Sequence, residues 1–396
     1  MSSLLKINSH VPLALYVHMP WCVKKCPYCD FNSHAVPEGT FSVEGTLSLS
    51  LEQAYLAALV ADAAQQAVWA ADRPLVSVFI GGGTPSLISA KGYQWLFAEL
   101  RKLFQFAPEC EITLEANPGT LEHAPFTDYL AAGINRLSLG VQTFDDALLK
   151  TLGRVHDAAE ARLAIRRARS DGFVRLNVDL MHGLPAQTVD QALLDLQSAI
   201  DGGATHISWY QLTIEPNTVF FRTQPVLPDE DRLADIQAAG EALLRQHGFI
   251  QYEVSAWALE RPSQHNLNYW QFGDYLAIGA GAHGKVTQIE ADGLAVYRFQ
   301  KSRLPRDYLA QVPAPALQYE RIAAEDLPFE FMMNALRLVD GMPTACFAER
   351  TGLGLTTVQE IVAGLQAEQL LHDDAERLRC TPRGFNYLNE VLARFS

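Results

Sequence analysis

The feature that most constrains the fold of this chain is a regular alternation of short apolar runs and helical patterns between Leu13 and about Ser255. Each apolar run is rich in β-branched residues and has the length of a strand. The six strands predicted in this way are Leu13–His18, Val76–Ile80, Glu111–Ala116, Arg136–Val141, Arg175–Leu180 and His206–Leu212. Strands that alternate with helices form a parallel sheet with right-handed crossovers. The sequence therefore predicts an α/β fold, and the pattern fits both an open sheet and a barrel.

Local signals mark where helices begin. Ser50 with Gln53, and Asp157 with Glu160, have the spacing of a capping box, in which each side chain binds the backbone N–H of the other residue. Residues Ala35–Leu49, which precede the first predicted helix, are rich in Gly, Ser and Thr. This composition predicts a surface loop.

The chain is expected to divide into three parts. Residues 1–285 form the α/β part, and residues 286–324 a linker, because the alternation stops and prolines become frequent (Pro305, Pro313 and Pro315). Residues 325–396 are predicted to form a small, mainly helical, winged-helix-like domain with a short extended pair around Leu370–Leu371 and Arg377–Cys380. The segment Leu355–Leu370, where a recognition helix would lie, has no Lys or Arg, so we expect a packing role rather than DNA binding.

Charge and hydropathy exclude several classes of function. The chain has 31 Lys and Arg against 45 Asp and Glu, and the resulting net charge of −14 repels phosphate backbones, so nucleic acid is not an expected partner. No stretch approaches the roughly 20 apolar residues of a membrane span. The apolar run Leu13–Val17 is too short for a signal peptide. We therefore expect a cytoplasmic protein that is not an integral membrane protein.

Three of the six cysteines lie together directly after the first predicted strand, in the pattern Cys22-x-x-x-Cys26-x-x-Cys29. The C-terminal ends of strands are where active sites of α/β folds gather. Three thiolates this close can bind three irons of a cubane and leave the fourth iron open to a small chelating molecule. The alternative is a structural zinc site with His18 or His34 as the fourth ligand. A second Cys-x-x-Cys pair is absent from the sequence, so a [4Fe–4S] cluster is the favoured prediction.

This cysteine motif, with Tyr28 directly before its last cysteine, resembles the radical-SAM superfamily. In that superfamily S-adenosylmethionine chelates the open iron, and reduction cleaves its sulfonium to give a 5′-deoxyadenosyl radical. The resemblance implies a partial (β/α)6 radical-SAM barrel with the cofactor at its C-terminal mouth.

Further matches follow at the ends of later strands. The segment Gly81-Gly82-Gly83-Thr84-Pro85 follows the second strand, and glycines allow backbone N–H groups to approach a ligand carboxylate. Together with the cysteines, these matches resemble the subfamily of oxygen-independent coproporphyrinogen III oxidase and its relatives over nearly the whole chain. The resemblance implies that the residues contacting S-adenosylmethionine are Tyr16, Tyr28, Gly82, Gly83, Thr84, Glu115, Gln142, Arg154 and Asp179.

Two functions from this subfamily are weighed. The oxidase carries out the oxidative decarboxylation of coproporphyrinogen III, whereas HemW-type haem chaperones bind haem and deliver it to haem-requiring proteins, among them respiratory and membrane-bound ones. The oxidases have a further cysteine two residues after the third, where this chain has Phe31, and a longer segment before the first strand. Both differences favour the chaperone and argue against oxidase activity, although the intact cofactor set leaves cleavage of S-adenosylmethionine open.

A third difference is the motif His265-Asn-Leu-Asn-Tyr269-Trp270, which resembles the HemW type rather than the oxidase. Imidazole is a good axial ligand of haem iron, and aromatic side chains can cover a porphyrin face. The resemblance implies haem contacts by His265, Asn266, Tyr269 and Trp270, with His265 as the ligand of the haem iron. Without the family, a histidine beside aromatic residues is more often a hydrogen-bonded core residue.

Some residues are given lesser roles. His283, in Gly-Ala-Gly-Ala-His-Gly-Lys, is the reserve haem ligand, and an ordinary place in a glycine-rich loop at the barrel mouth fits it equally well. A functional role for His182, which follows a strand end, is the less favoured interpretation. Three cysteines stand far apart and are predicted to be buried thiols of a protein in a reducing compartment: Cys110, Cys346 and Cys380.

Overall fold

The computed structural model describes residues 6–8, 10–42, 45–120, 125–291, 293–311 and 319–396. Two of the prolines on which the predicted linker depends, Pro313 and Pro315, lie outside these ranges, as do two residues of the predicted loop at 35–49.

Most strands of the described chain belong to one large sheet. In chain order the strands are β1 (Lys6–Ile7), β2 (Leu13–Met19), β3 (Trp21–Cys22), β4 (His34–Ala35), β5 (Leu75–Gly82), β6 (Phe106–Ala116), β7 (Arg136–Gln142), β8 (Arg175–His182), β9 (His206–Gln211), β10 (Ile250–Glu253), β11 (Ala256–Ala258), β12 (Asp274–Ile278), β13 (His283–Glu290), β14 (Gly293–Gln300), β15 (Tyr319–Arg321), β16 (Met342–Pro343) and β17 (Arg377–Leu378).

Helices connect the strands of the first part and dominate the last part. They are α1 (Leu49–Ala70), α2 (Ala90–Leu103), α3 (Phe126–Ala132), α4 (Asp146–Thr151), α5 (Ala158–Ser170), α6 (Val189–Asp201), α7 (Val219–Thr223), α8 (Glu230–Gln246), α9 (Gln264–Trp270), α10 (Pro305–Ala310), α11 (Leu327–Ala335), α12 (Ala345–Thr351), α13 (Gln359–Ala367), α14 (Pro382–Asn386) and α15 (Leu388–Leu392), with 3-10 turns at Pro85–Leu87, Pro118–Thr120 and Leu355–Thr357.

The large sheet has the order β10-β11-β9-β8-β7-β6-β5-β2-β12-β13-β14-β15, with β1 paired to β13. The six predicted strands are β2 and β5 to β9, and adjacent members of this set pair in parallel. The predicted (β/α)6 arrangement is therefore confirmed. The sequence did not predict β12, which pairs in parallel with β2, or the antiparallel strands at both edges.

Residues 286–300, assigned above to the beginning of a linker, instead form most of the β13–β14 hairpin, and Tyr319–Arg321 pairs with β14. The described part of segment 286–324 thus extends the sheet. An antiparallel hairpin lacks strand–helix alternation, which explains why the pattern missed it. The last part is mainly helical, with β16 paired to β17 and a bridge between Leu371 and Cys380. Its apolar side chains, among them Phe331 and Phe347, form a second hydrophobic core that also includes Phe272 and Val296. The domain boundaries at 285 and 325 stay predictions.

Of the two capping boxes predicted, one is confirmed. The side chains of Asp157 and Glu160 bind each other's backbone N–H groups at the start of α5. The box at Ser50 is wrong, because α1 begins earlier, at Leu49, and Ser48 occupies the N-cap position without a side-chain bond to the helix backbone. Among the described residues, no helix is both long and apolar enough to cross a membrane.

A buried carboxylate lies near the N-terminal ends of the barrel strands, which form the lower end of the barrel. Glu111, near the start of the paired part of β6, forms an ion pair of 2.6 Å with Arg175 of β8 and accepts hydrogen bonds from the backbone N–H groups of Gln264 and His265 and from the Ser263 hydroxyl. Burial alone would raise the pKa of Glu111, but Arg136, Arg175 and the two N–H groups hold it below its usual range. The start of α9 is thereby fixed to the barrel.

We predict that Glu111→Gln lowers the free energy of unfolding by about 3 kcal/mol, because it leaves the partly buried Arg175 without its counter-charge and weakens the hydrogen bonds to α9. The matched control is Glu109→Gln on the same strand: Glu109 pairs with Arg261 at 2.9 Å, but its side chain is 77% exposed, so a loss below about 1 kcal/mol is expected. Urea unfolding followed by circular dichroism measures both losses. Equal losses would contradict the structural role given to Glu111.

Candidate cluster and cofactor site

The three clustered cysteines lie on the loop that follows β2, at the C-terminal mouth of the barrel. Cys22 ends β3, and a backbone hydrogen bond of 3.2 Å from Cys29 to Cys26 turns the loop so that all three thiols border one cavity. Arg154 Nη1 lies 3.6 Å from Cys26 Sγ, and burial raises the pKa of the Cys22 and Cys29 thiols. A cation next to a sulfur ligand favours the thiolate that iron requires.

The zinc alternative requires a free histidine nitrogen, and both ring nitrogens of His18 and the Nε2 of His34 have other partners. His18 Nδ1 lies 3.0 Å from the Tyr16 hydroxyl and its Nε2 lies 2.9 Å from the Asn32 carbonyl. His34 Nε2 lies 3.2 Å from the Arg303 carbonyl. In the part of the chain that is described, no three His, Cys, Asp or Glu side chains converge on a position for one metal ion. Three thiols that each bind a different iron do not need to converge in this way.

The glycine segment after β5 packs against the cysteine loop. A Cβ on Gly83 would lie 2.4 Å from the Trp21 carbonyl oxygen, so no side chain fits there. The N–H groups of Gly83 and Thr84 donate to the carbonyls of Met19 and Trp21 at 2.6 and 2.7 Å. The sequence predicted that these N–H groups would approach a ligand carboxylate. Instead, both of them bind the cysteine loop.

Two partly buried acidic side chains lie at the C-terminal ends of β6 and β8, on either side of β7. Glu115 of β6 accepts the Gly82 N–H at 3.2 Å, and burial followed by the charge of Asp179 raises the pKa of Glu115 to about 8. Asp179 of β8 accepts hydrogen bonds of 2.9 and 2.8 Å from Ser138 and Asn177, and burial raises its pKa as well. Burial thus disfavours the ionised form of both carboxyl groups, and a bound cation would favour it.

Gln142, at the C-terminal end of β7, has a strained backbone conformation. Its φ of 75° lies in the left-handed region, and the β7–β8 register shifts at this position. The Tyr210 hydroxyl donates to the Gln142 side-chain oxygen at 2.8 Å. Arg154 Nη2 donates to Asn117 at 2.8 Å and also to the Gly140 carbonyl. These bonds fix the orientation of both side chains toward the cavity.

One cavity of about 620 Å³ joins most of the predicted positions. It is lined by Cys22, Cys26, Tyr28, Cys29, Gly82, Gly83, Thr84, Glu115, Gln142, Arg154 and Asp179, and also by Asn266 and Trp270. Tyr16 is not part of the wall: it lies within the barrel, where its hydroxyl faces His18 and its ring stacks on Phe79. The cavity therefore reaches from the cysteine loop to the motif on α9.

The histidine of that motif faces the barrel interior. The His265 ring stacks on Phe79 with centroids 4.0 Å apart, and its other side contacts the edge of Tyr269 at 4.6 Å. Burial lowers the pKa of His265 to about 3, and its Nδ1 is buried without a hydrogen-bond partner. Asn266 donates to the Tyr252 hydroxyl at 3.0 Å. Asn266 and Trp270 thus line the cavity, whereas His265 and Tyr269 lie behind its wall.

The two other candidate histidines and the three isolated cysteines lie outside the cavity wall. His283 is exposed at the start of β13, and the glycine-rich loop before it packs on the cysteine loop, where Asn32 donates to the Ala280 carbonyl. His182 is buried against Trp209, and burial lowers its pKa to about 4. Neither histidine lines the cavity. Of the isolated cysteines, Cys110 and Cys380 are buried as predicted, whereas Cys346 is only partly buried.

Several residues of the cavity wall were not predicted from the sequence. Asn117, Ser208 and Tyr210 occupy inward positions next to predicted ones, and strand alternation could have found them. Glu253 and Arg337 meet from β10 and from the residues that follow α11, with Arg337 Nη2 3.1 Å from the Glu253 carboxylate. No local pattern in the sequence identifies that pair.

Two families match parts of the chain. Residues 16–198 match the radical SAM superfamily, and residues 322–386 match the HemN C-terminal domain. Among solved structures, coproporphyrinogen III oxidase (HemN) from Escherichia coli, titled a radical SAM enzyme, superposes with a TM-score of 0.76 over 98% of this chain and 90% of its own, at 23% identity. That likeness shows a shared fold.

Full-length relatives are more similar in sequence. The proteins named heme chaperone HemW from Haemophilus influenzae and Escherichia coli are each 45% identical to this chain, and each match covers 97% of this chain and 98% of the relative. The protein of that name from Bacillus subtilis is 31% identical, with 96% and 98% covered. The chain therefore belongs to the HemW family, within the radical SAM superfamily.

Proposed function

We propose that this protein is a haem chaperone, which binds haem and delivers it to haem-requiring proteins, and that it carries a [4Fe–4S] cluster with S-adenosylmethionine. The observation that carries the proposal is the continuous cavity of about 620 Å³, which is bordered both by the cysteine loop and by Asn266 and Trp270. The names of the full-length relatives support the haem function.

The residues at the barrel mouth fit the cofactor pair. Cys22, Cys26 and Cys29 would hold the cluster, and Arg154 would stabilise the Cys26 thiolate. S-adenosylmethionine carries a permanent positive charge, for which the buried carboxyl groups of Glu115 and Asp179 provide a complement. A cluster with an open iron supplies reductive chemistry toward a sulfonium when both are bound. We assign the remaining contacts to Tyr28, Gly82, Gly83, Thr84 and Gln142, which line the cavity, with Gly83 and Thr84 contacting the cofactor through atoms other than their N–H groups. A contact with Tyr16 would require its hydroxyl to leave His18.

Haem would bind at the other end of the cavity. Trp270 offers an aromatic surface there, and Asn266 offers polar atoms. The depressed pKa keeps His265 neutral at pH 7, the form in which imidazole ligates iron. We propose His265 as that ligand and Tyr269 as a further contact, which requires the His265 ring to leave its stack on Phe79.

The competing function, oxidation of coproporphyrinogen III, is disfavoured by the residue pattern. Phe31 stands where the oxidases have a further cysteine, and its side chain is 60% exposed beside the cluster loop. The recipients of haem are proposed to be haem-requiring proteins, with respiratory and membrane-bound proteins among the candidates. Function in the cytoplasm is part of the same proposal.

The two functions are separated by anaerobic reconstitution of the cluster, a haem titration, and a parallel assay with coproporphyrinogen III and S-adenosylmethionine. We expect tight haem binding and no protoporphyrinogen. Transfer of bound haem to an apo-haem protein is the further expected result. Turnover of coproporphyrinogen would contradict the proposal and establish an oxidase.

The raised pKa of Glu115 predicts a pH dependence of cofactor binding. Its pKa of about 8 means that the carboxyl is protonated at pH 7, so a bound cation must displace that proton. The affinity for S-adenosylmethionine should therefore rise as pH increases toward 8 and level off above it. We expect Glu115→Gln to lower the affinity about tenfold at pH 8.5 and to flatten the profile.

The matched control is Asp195→Asn. Asp195 is another buried carboxyl, with its pKa raised to about 7 by burial, but it accepts a hydrogen bond from the Phe144 N–H and does not line the cavity. This variant should keep the wild-type profile. Equilibrium dialysis of reconstituted protein between pH 6.5 and 8.5 measures the affinities. An identical slope in Glu115→Gln and wild type would show that Glu115 does not face the cofactor.

The assignment of His265 is tested by His265→Ala with a haem titration. Loss of the axial ligand should change the Soret spectrum and weaken haem binding, whereas S-adenosylmethionine binding should persist. The control is His182→Ala, which also removes a buried histidine with a depressed pKa, but one outside the cavity wall. Unchanged haem affinity and an unchanged Soret band in His265→Ala would rule out this ligand.

A further inference from the structure

Arg337 occupies a junction between two cavities. A second cavity of about 580 Å³ lies behind the α9 end of the first, and the two share Trp270 and Arg337 in their walls. The other residues of the second cavity come from α11 and the C-terminal segment and are mainly apolar, among them Phe329, Met333 and Leu392. A planar macrocycle that covers Trp270 would thus have apolar surface beyond the end of the main cavity.

The guanidinium of Arg337 contacts an aromatic ring and a carboxylate. It lies over the Trp270 ring with its central carbon 4.4 Å from the centroid, and its Nη2 donates to the Glu253 carboxylate at 3.1 Å. An arginine stacked on an aromatic ring keeps its planar donors directed sideways, where a carboxylate can accept two hydrogen bonds. The side chain of Arg337 is 29% exposed, so a ligand can reach it.

The ion pair between Glu253 and Arg337 contributes little net stability, although the Glu253 carboxylate is buried. The Glu253 side chain is 4% exposed, and burial raises its pKa despite the ion pair and the N–H that Ser255 donates. A buried ion pair gains little net free energy, because the loss of hydration offsets the attraction. A second carboxylate that enters with a ligand can therefore compete with Glu253 for the arginine, and the released Glu253, whose pKa burial raises, takes up a proton from solvent.

We propose that Arg337 is the anchor for a haem propionate: on binding, the guanidinium exchanges the Glu253 carboxylate for a propionate, and the porphyrin edge rests on Trp270. This assignment rests on the proposed haem function and deepens it. It adds a carboxylate-recognition residue outside the His-Asn-x-x-Tyr-Trp motif, contributed by the C-terminal helical part of the chain. It makes no use of the identity of the iron ligand.

The test compares two ligands that differ only in the carboxylates, ferric haem and its dimethyl ester, by absorbance titration of the reconstituted full-length protein. Wild type should bind haem at least about tenfold more tightly than the ester, as expected for a charge-assisted hydrogen bond. Arg337→Gln should bind haem about as weakly as wild type binds the ester, and it should not distinguish the two ligands. Arg337→Lys, which keeps the charge, should retain part of the discrimination.

Two further variants separate recognition from structural damage. Glu253→Gln removes the competing charge and should tighten haem binding several-fold without affecting the ester, a gain that damage to the fold would not produce. Arg350→Gln is the matched control, because Arg350 is a half-buried arginine of α12 that donates to the His10 carbonyl and lines neither cavity. It should discriminate between the ligands like wild type.

The outcomes are distinct. Undiminished discrimination in Arg337→Gln would overturn the assignment of Arg337 and leave the haem function intact. Failure of wild type to bind haem at all would instead overturn the proposed function, and this inference with it. Loss of discrimination in Arg337→Gln together with a gain in Glu253→Gln supports the exchange of carboxylates.

Discussion

The arrangement of the site depends on the buried carboxylate of Glu111. By accepting N–H groups from the start of α9 while paired with Arg175, it holds the motif helix against the lower end of the barrel. The last residue of that helix, Trp270, then forms part of the same cavity wall as the cysteine loop at the upper end. The ion pair and hydrogen bonds of Glu111 thus help to bring together the cysteine motif and the motif on α9, which lie more than 200 residues apart in the sequence.

Polar groups occur at two levels of the barrel interior, and their roles differ. The lowest layer is structural, with Glu111 and Arg175 neutralising each other. In the upper layer, Glu115 and Asp179 have pKa values raised by burial and lack a basic ion-pair partner among the described residues. Carboxyl groups left in this condition are costly to the empty protein and are characteristic of ligand sites.

The sequence predicted the repeated part of the fold well. The six parallel strands were found because their apolar runs alternate with helices, and the cysteine loop was placed correctly at the end of β2. The edge strands β10, β11, β13 and β14 were missed because antiparallel hairpins produce no such alternation. The start of α1 was misjudged because Ser50 offered a cap signal that the helix does not use.

The candidate site was predictable where it follows strand ends, and less so where it depends on tertiary contacts. Glu115, Gln142 and Asp179, which the family resemblance implied, lie at strand ends and line the cavity. The contact of Arg337 with Glu253 joins residues 84 positions apart, so no periodicity reveals it. The burial of His265 on Phe79 was equally invisible, because it depends on how α9 enters the barrel.

The most direct test of this account is an experimental structure of the reconstituted protein with haem and S-adenosylmethionine bound. The account predicts that both ligands occupy connected space, with S-adenosylmethionine at Glu115 and Asp179 and with haem against Trp270. Haem bound at a surface that borders neither cavity would contradict it.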